Sequence, residues 1–411
     1  VTTATDAAAA QLVERRLSAR RRAGDAYFTA TADDLATLCH RMAERFARGG
    51  RLLAIGTAPA ARSDVRHVTV EFVHPVIVGK RALPAIGLTG DGASLAVEVS
   101  LAVGPDDIVM AFAASSGDGD GDPGLVSAVA HARRAGALTV AFAALGAEVQ
   151  LIPPADDPFV AQELVETAYH VLWELVHVFF DHRGLLAGRT ERPVHDAGAA
   201  SFLYPFLSEQ ETDLDAVLAD VAGSVAMKWA DVVALRADTL RDGLAPLLAA
   251  AVTLRAGLDG GGRLLALGNG GSATDATDLV ADLQAPPVIY GWPGRAGLDL
   301  GADPPILTAL ANDIGTEVIF TRQIIAHGRS GDTVVALSTS GNSLSVLDAL
   351  IEARRRSLAT IAFVGYDGGR VAAEGLADHV IVCPSQYIPR ILEAQATAYH
   401  LLRELIELAE R

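Results

Sequence analysis

The sequence predicts an α/β protein built from two tandem, doubly wound domains, each a parallel sheet layered between helices. Three observations carry that expectation. The chain is duplicated: Glu166-Thr-Ala-Tyr-His-Val-Leu-Trp-Glu-Leu175 recurs as Ala396-Thr-Ala-Tyr-His-Leu-Leu-Arg-Glu-Leu405. Short, wholly apolar segments alternate with helical patterns, as strands buried on both faces do. Gly-rich or Ser-rich turns follow two of those segments, where open α/β sheets bind ligands.

Further pairs recur in the same order: Arg51-Leu-Leu-Ala-Ile-Gly56 with Arg263-Leu-Leu-Ala-Leu-Gly268, and Asp107-Ile-Val-Met-Ala111 with Asp332-Thr-Val-Val-Ala336. They divide the chain into domains 1–185 and 208–411. The linker between them, 186–207, falls in a stretch rich in Gly, Arg and Pro; its cluster Phe202 to Leu207 is expected to pin it to a domain surface. In the first half, strands are expected after the Gly-Gly-Arg turn at 49–51 and at Pro84 to Leu88, Ile108 to Phe112 and Leu138 to Ala143. In the second half they are expected at Leu264 to Leu267, Ile306 to Leu310, Thr333 to Leu337 and Thr360 to Val364. Helical patterns such as Leu344 to Arg356 separate them, and apolar helical faces at Leu35 to Phe46 and Val217 to Leu235 suggest buried interfaces.

Composition narrows the function. Half of the 411 residues are hydrophobic and a fifth are charged, which suits a large core and excludes wholesale disorder. With 33 basic and 50 acidic side chains the net charge is −17, which argues against nucleic acid or an anionic membrane as partner. Cys39 and Cys383 are too few and too far apart for a disulfide framework or a cysteine metal site. No apolar run approaches a membrane span, and the charges of Leu12 to Arg22 do not fit a signal peptide, so a cytoplasmic protein is expected.

The second half carries two anion loops. Gly268-Asn-Gly-Gly-Ser272 lies between an apolar strand and a helical pattern at Asp275 to Leu283. Glycines at such a turn let backbone N–H groups approach an anion beside a favourable helix dipole. By itself it could equally be a tight turn. The second loop, Ser338-Thr-Ser-Gly-Asn-Ser343, crowds four hydroxyls and an amide between the next strand and its helix. Helix caps use one hydroxyl; a phosphate monoester uses several, through charge-assisted hydrogen bonds.

Gly268-Asn-Gly-Gly-Ser-Ala-Thr-Asp-Ala, Thr308-Ala-Leu-Ala-Asn-Asp313, Ser338-Thr-Ser-Gly-Asn-Ser343, Gly365-Tyr-Asp-Gly-Gly369 and the last helix through His400 together resemble the sugar-isomerase (SIS) domain of the phosphoheptose isomerase family. The resemblance spans nearly all of the second half. It implies a flavodoxin-like three-layer fold and an aldose–ketose isomerase acting on sedoheptulose 7-phosphate to give D-glycero-D-manno-heptose 7-phosphate. Family members are commonly tetramers of single-domain subunits, several with bound zinc, which for this tandem chain implies a homodimer with four SIS domains. The sugar phosphate would be held by Asn269, Gly270, Gly271, Ser272, Asn312, Asp313, Ser338, Thr339, Ser340 and Ser343.

The family also carries a metal-binding His and, four residues on, a catalytic Glu on the helix after the first loop, and a Gln and, eight residues on, a His on the last helix. In the second half these positions are Asp278, Asp282, Leu392 and His400, so that half alone resembles a binding domain. The first half is the reverse. Its loops have become Gly56-Thr-Ala-Pro-Ala60 and Ala113-Ala-Ser-Ser-Gly-Asp-Gly-Asp-Gly121, and Asp118, Asp120 and Asp122 would repel a phosphate. Yet after a one-residue gap Asp64-Val-Arg-His-Val-Thr-Val-Glu-Phe72 aligns His67 and Glu71 with the His and Glu positions, and the last helix supplies Gln162 and His170. Complementary loss implies a composite site: phosphate and sugar-chain contacts from the second half, acid/base chemistry from the first.

The resemblance makes Glu71 the base, His170 the acid, and His67, Glu71, Gln162 and His170 the zinc ligands. Local propensity opposes part of this, because Val68, Thr69, Val70, Phe72 and Val73 favour a strand. On a strand His67 and Glu71 would stand about 13 Å apart and share no metal. The duplication, which pairs this segment with Asp275 to Leu283, predicts a helix instead. Two rival functions remain at this level: a non-catalytic sugar-phosphate-binding or protein-docking SIS module, and an aminosugar-phosphate isomerase or deaminase.

Overall fold

The computed structural model describes residues 4–76, 80–113, 122–181, 185–186 and 213–408. The expected linker, apart from Leu186, the Phe202 to Leu207 cluster, and 114–121 of the first half's second loop lie outside them.

The first half runs α1 (Ala4–Ala47), β1 (Leu52–Gly56), α2 (Pro59–Val73), β2 (Ala85–Leu88), α3 (Gly92–Ala102), β3 (Ile108–Phe112), α4 (Pro123–Arg134), β4 (Leu138–Ala141), β5 (Val149–Gln150) and α5 (Pro158–Asp181). The second runs α6 (Leu214–Asp259), β6 (Leu264–Leu267), α7 (Gly271–Gln284), β7 (Gly297–Asp299), α8 (Pro304–Asp313), α9 (Thr321–His327), β8 (Thr333–Ser338), α10 (Leu344–Arg355), β9 (Ala359–Gly365), α11 (Gly369–Ala373), β10 (His379–Cys383) and α12 (Ile388–Leu408). Each sheet is parallel, in the orders β2-β1-β3-β4-β5 and β7-β6-β8-β9-β10. Both have the doubly wound order 2-1-3-4-5, in which the crevice between the first and third strands is the switch point that binds ligands. Two tandem α/β domains are therefore present. No described helix is long and apolar enough to cross a membrane.

The duplication extends to matched charge pairs at the sheet bottoms. Asp107 Oδ1 accepts from Arg51 N at 2.8 Å, Asp107 Oδ2 accepts from Arg51 Nη2 at 2.8 Å, and the same guanidinium donates to Ala102 O at 2.6 Å. Asp332 repeats this on Arg263 at 2.8 and 2.8 Å, with His327 O accepting at 2.6 Å. Each aspartate joins the start of the third strand to the residue preceding the first, which fixes the β1–β3 and β6–β8 register.

The chain divides into two compact units: Arg22–Ala230, and Val1–Arg21 together with Asp231–Arg411. The cause lies in the two long helices. The start of α1 is apolar on one face, and Ala9 and Val13 enter a core with Leu240, Leu247, Leu254 and Leu402. Arg16 Nε also pairs with Glu404 Oε2 at 2.5 Å. Conversely the start of α6 belongs with the first sheet, where Trp229 stacks on Phe28 with ring centroids 5.1 Å apart and donates to Asp25 Oδ1 at 2.7 Å. Gly24 is required there, since a Cβ would lie 2.0 Å from the Trp229 ring. The two apolar helical faces are buried, with Leu35, Leu38 and Met42 in one and Val217, Val221 and Val225 in the other.

One expected strand is a helix. Ile306 to Leu310 lies within α8, which starts on Pro304 and is capped by Asp303, whose side chain accepts from Ile306 N at 3.1 Å. An acidic cap followed by proline is a helix start, and that local signal outweighs a short apolar run that fits strand and helix equally. The second strand of that sheet is instead the short edge β7; β5 is a two-residue edge strand too brief to stand out by hydropathy, and β10, His-Val-Ile-Val-Cys, is an apolar edge strand beyond those expected.

Candidate active site

The segment carrying His67 is helical. Pro59 occupies the first turn of α2, and Val65, Val68 and Phe72 fall at helical spacing to enter the core, so packing overrides the β-branched bias. One turn therefore separates His67 from Glu71 on a buried face. His67 Nε2 lies 4.0 Å from Glu71 Oε1. From α5, His170 brings its Nε2 to 3.3 Å from His67 Nε2. The ligand atoms of His67, Glu71 and His170 all fall within 4.8 Å of one another, and all three side chains are buried. Burial, reinforced by His170, holds the His67 ring well below the usual imidazole range and hence neutral.

This set fits a zinc ion. Neutral imidazoles are the ligand form, and two nitrogens on tetrahedral zinc at about 2.05 Å would stand about 3.3 Å apart. Gln162 is half-buried two turns before His170 on α5, about 12 Å along the axis. Between them, one turn from each, Glu166 approaches His67 Nδ1 at 3.9 Å through Oε1. Glu166 is a residue that motif matching misses, because its counterpart in the duplication is Ala396. Its signal is spacing: Gln162, Glu166 and His170 line one helical face.

In the other unit both loops sit where β6 and β8 end at the switch point. Gly270 adopts φ +58° and ψ −127°, a conformation costly for any side chain, just where α7 begins. Asn269 Nδ2 joins the loops, donating to Ser343 Oγ at 2.9 Å and Ser345 Oγ at 3.0 Å. Ser343 occupies the N-cap position of α10, yet its hydroxyl makes no capping bond. Ser338 Oγ accepts from Gly341 N at 3.1 Å, and Ser340 Oγ from Asn342 N at 3.2 Å. Gly341 has φ +61°, and a Cβ there would lie 2.2 Å from Gly368 O, so the serine loop is braced on the Gly365 to Gly369 turn. Arg370 N donating to Asn342 Oδ1 at 3.0 Å closes that brace. Ser272 is buried in the first turn of α7, and Thr339 is half-buried. Gly271 starts α7 and Leu344 starts α10, so two helix N-termini face the crevice that Asn269 spans. Asn312 and Asp313 stand exposed at the end of α8, where Asn312 Nδ2 donates to Asp313 Oδ1 at 2.8 Å; among the described residues neither bonds to the two loops.

The counterpart of the glycine loop in the first half is geometrically ordinary. Ala58 has φ −67° and ψ 153° with no capping side chain, and Pro59 removes a backbone donor that an anion would use. Asp122 is spent as the cap of α4, accepting from Gly124 N at 2.8 Å.

Two positions read from sequence as changed in the second half, Asp278 and Asp282, converge on the retained His400. His400 Nε2, on α12, lies 3.3 Å from Asp278 Oδ2 and 3.4 Å from Asp282 Oδ2 on α7, all buried. Tyr399 Oη donates to Asp278 Oδ2 at 2.7 Å. Burial, with Asp278 beside it, pushes the Asp282 carboxyl up to about 6.

Comparison with known proteins agrees with this layout. The SIS domain family matches residues 228–365. The chain is 42% identical over 164 residues to a phosphoheptose isomerase of Rhodospirillum rubrum, covering 40% of this chain and 86% of the relative. It is 44% identical over 165 residues to one of Geotalea daltonii, covering 40% and 84%. Over nearly the whole chain, the fold resembles the C-terminal domain of a glucosamine-fructose-6-phosphate aminotransferase from Francisella tularensis, with a TM-score of 0.59 at 10% identity, covering 96% of this chain and 93% of that one. Residues, loops and relatives agree, and the chain belongs to the phosphoheptose isomerase family of SIS-domain proteins.

Proposed function

We propose that this protein is an aldose–ketose isomerase of a sugar phosphate, with sedoheptulose 7-phosphate and D-glycero-D-manno-heptose 7-phosphate as the pair it interconverts. It works at a composite site to which the β6–β10 unit contributes the grip and the β1–β5 unit the chemistry. The single observation that carries this is complementarity. The glycine loop is built in one unit and lost in the other, whose second loop reads Ala113-Ala-Ser-Ser-Gly-Asp-Gly-Asp-Gly121 in sequence, whereas His67, Glu71 and His170 converge in that other unit. The domain limits, 1–185 and 208–411, and the homodimer belong to the same proposal.

Isomerisation moves a proton between C1 and C2 through an enediol, which requires a base at those carbons and proton transfer between the oxygens. Glu71 takes the carbon-bound proton, and His170 shuttles the oxygen-bound one. Ser338, Thr339, Ser340 and Ser343, with N–H groups at the starts of α7 and α10, hold the phosphate dianion. Asn269, Gly270, Gly271 and Ser272 complete the cradle, and Asn312 and Asp313 contact the sugar chain. A zinc ion bound by His67, Glu71, Gln162 and His170 would polarise the carbonyl. A carboxylate has two oxygens, so Glu71 can keep one for proton abstraction while the other faces the ion.

The test is solvent exchange: incubated with sedoheptulose 7-phosphate in deuterated water, the protein should incorporate deuterium at C1, detected by proton NMR, and accumulate the aldose. Tight binding without exchange would instead identify a sugar-phosphate sensor.

A further inference from the structure

We propose that Asp278, Asp282 and His400 form a second divalent-cation site in the β6–β10 unit, separate from the His67 cluster. The family resemblance supplies only His400 of this set, because it places a histidine and a glutamate where this chain has aspartates, and glutamine where it has Leu392. What supplies it is the packing of α7 on α12. Asp278 and Asp282 fall one turn apart on the face of α7 that meets His400, and one atom from each of the three lies within 4.8 Å of the others.

An ion pair alone explains this cluster poorly. The Nε2 of an imidazole carries at most one hydrogen, yet it faces two carboxylate oxygens at 3.3 and 3.4 Å, both longer than a charge-assisted hydrogen bond of about 2.7–2.9 Å. Asp282 Oδ2 is buried and accepts no hydrogen bond among the described residues. Even with His400 protonated, two buried carboxylates leave excess negative charge. Arg403 offsets it little, since its Nη1 pairs with Glu407 Oε1 at 2.6 Å and its Nε reaches only the Asp282 carbonyl at 3.2 Å. A divalent ion would balance two carboxylates, and edges of about 3.3 Å are the separation of donors around a small tetrahedral ion. Two oxygens and one imidazole nitrogen suit zinc, manganese or iron rather than a soft metal. Tyr399, donating to Asp278 Oδ2 at 2.7 Å, orients that ligand as an outer partner does in metal centres. Positions not filled by protein would go to water.

The experiment counts metal on the full chain. Chelator-stripped wild type, His67→Ala/His170→Ala, and that double variant with Asp282→Asn or His400→Gln added are loaded with Zn²⁺ or Co²⁺, desalted and assayed by mass spectrometry, with circular dichroism to confirm folding. The double variant should keep about one equivalent, with a cobalt visible band and a metal-dependent rise in melting temperature, and either further substitution should abolish all three. A folded double variant that binds no metal, or whose metal survives both Asp282→Asn and His400→Gln, overturns the proposal. Wild type that holds this metal but shows no isomerase activity would count against the functional reading and leave the cation site standing, whereas loss of activity in the His67→Ala/His170→Ala variant is what that reading expects.

Discussion

The two units share a scaffold and differ in what stands on it. Both sheets have the order 2-1-3-4-5, and both join their first and third strands with an Arg–Asp pair of nearly identical geometry. At the first loop, however, one unit has Gly270 at φ +58° where the other has Ala58 at φ −67° followed by Pro59. On the last helix the alignment of His170 with His400 pairs Glu166 with Ala396 and His177 with Glu407. Glu407 is an ion-paired acid, with Arg295 at 3.0 Å and Arg403 at 2.6 Å, whereas His177 is a buried imidazole. The difference teaches that register-setting contacts were kept in both copies while functional groups diverged, since each loop or helix face can change without disturbing the sheet below it.

Substitutions can break or sharpen that contrast. The largest effect should follow Glu71→Gln, with kcat lowered by about 10²–10⁴-fold, as loss of a general base does. Equal turnover in steady-state assays would remove Glu71 from the chemistry. Ser340→Ala combined with Ser343→Ala should act on the other unit's contribution, raising KM by about 10–100-fold with kcat nearly kept, as expected for groups that hold the non-reacting end. A kcat effect with unchanged KM would place those hydroxyls near the reacting carbons instead.

The His177 position separates the units by pH. Burial, with Lys80 adding to it, lowers the His177 ring to about 4, even though Trp173 O and Arg81 O lie 2.8 and 3.1 Å from its nitrogens. A ring whose folded pKa is depressed takes up its proton in the unfolded chain first. Its stabilising contribution is therefore complete above about pH 6.5 and falls as pH drops toward 4. Between pH 7.5 and 5 this should cost about 2 kcal/mol. Urea melts of His177→Gln should lack that component, and an unaltered pH slope would show that the ring takes up its proton equally in the native and unfolded chains. The smallest effect is expected for Ala58→Gly. Restoring one glycine beside Pro59 should change stability by no more than about 0.5 kcal/mol and leave sugar-phosphate affinity unchanged, because the partner loop there carries Asp118, Asp120 and Asp122 in its sequence. A gain in affinity, measured calorimetrically, would mean the first unit still binds phosphate.

Much of this was legible in the sequence because duplication supplies its own alignment. It identified α2 as a helix against the bias of Val68, Thr69 and Val70, and it aligned His67, Glu71 and His170 before their distances were known. What it missed followed from packing. Glu166 lies opposite an alanine in the other copy, so comparing copies gave no cue, and only the approach of α5 to α2 brings it to His67. Ser345 lies two residues past the loop motif and is recruited by Asn269. Asp278 and Asp282 looked like losses because position-by-position matching judges residue types singly, while the two helices bring both carboxylates together with the retained His400. Pro304 and Asp303 announced a helix at 304–313, but the apolar run after them masked it.

The claim that one unit grips while the other reacts is tested most directly by measuring, on a single preparation of Glu71→Gln, both the calorimetric affinity for sedoheptulose 7-phosphate and the rate of deuterium entry at C1. Division of labour predicts an affinity within about three-fold of wild type with exchange reduced by at least about 100-fold. Exchange at the wild-type rate would contradict it, as would affinity lost in proportion to exchange.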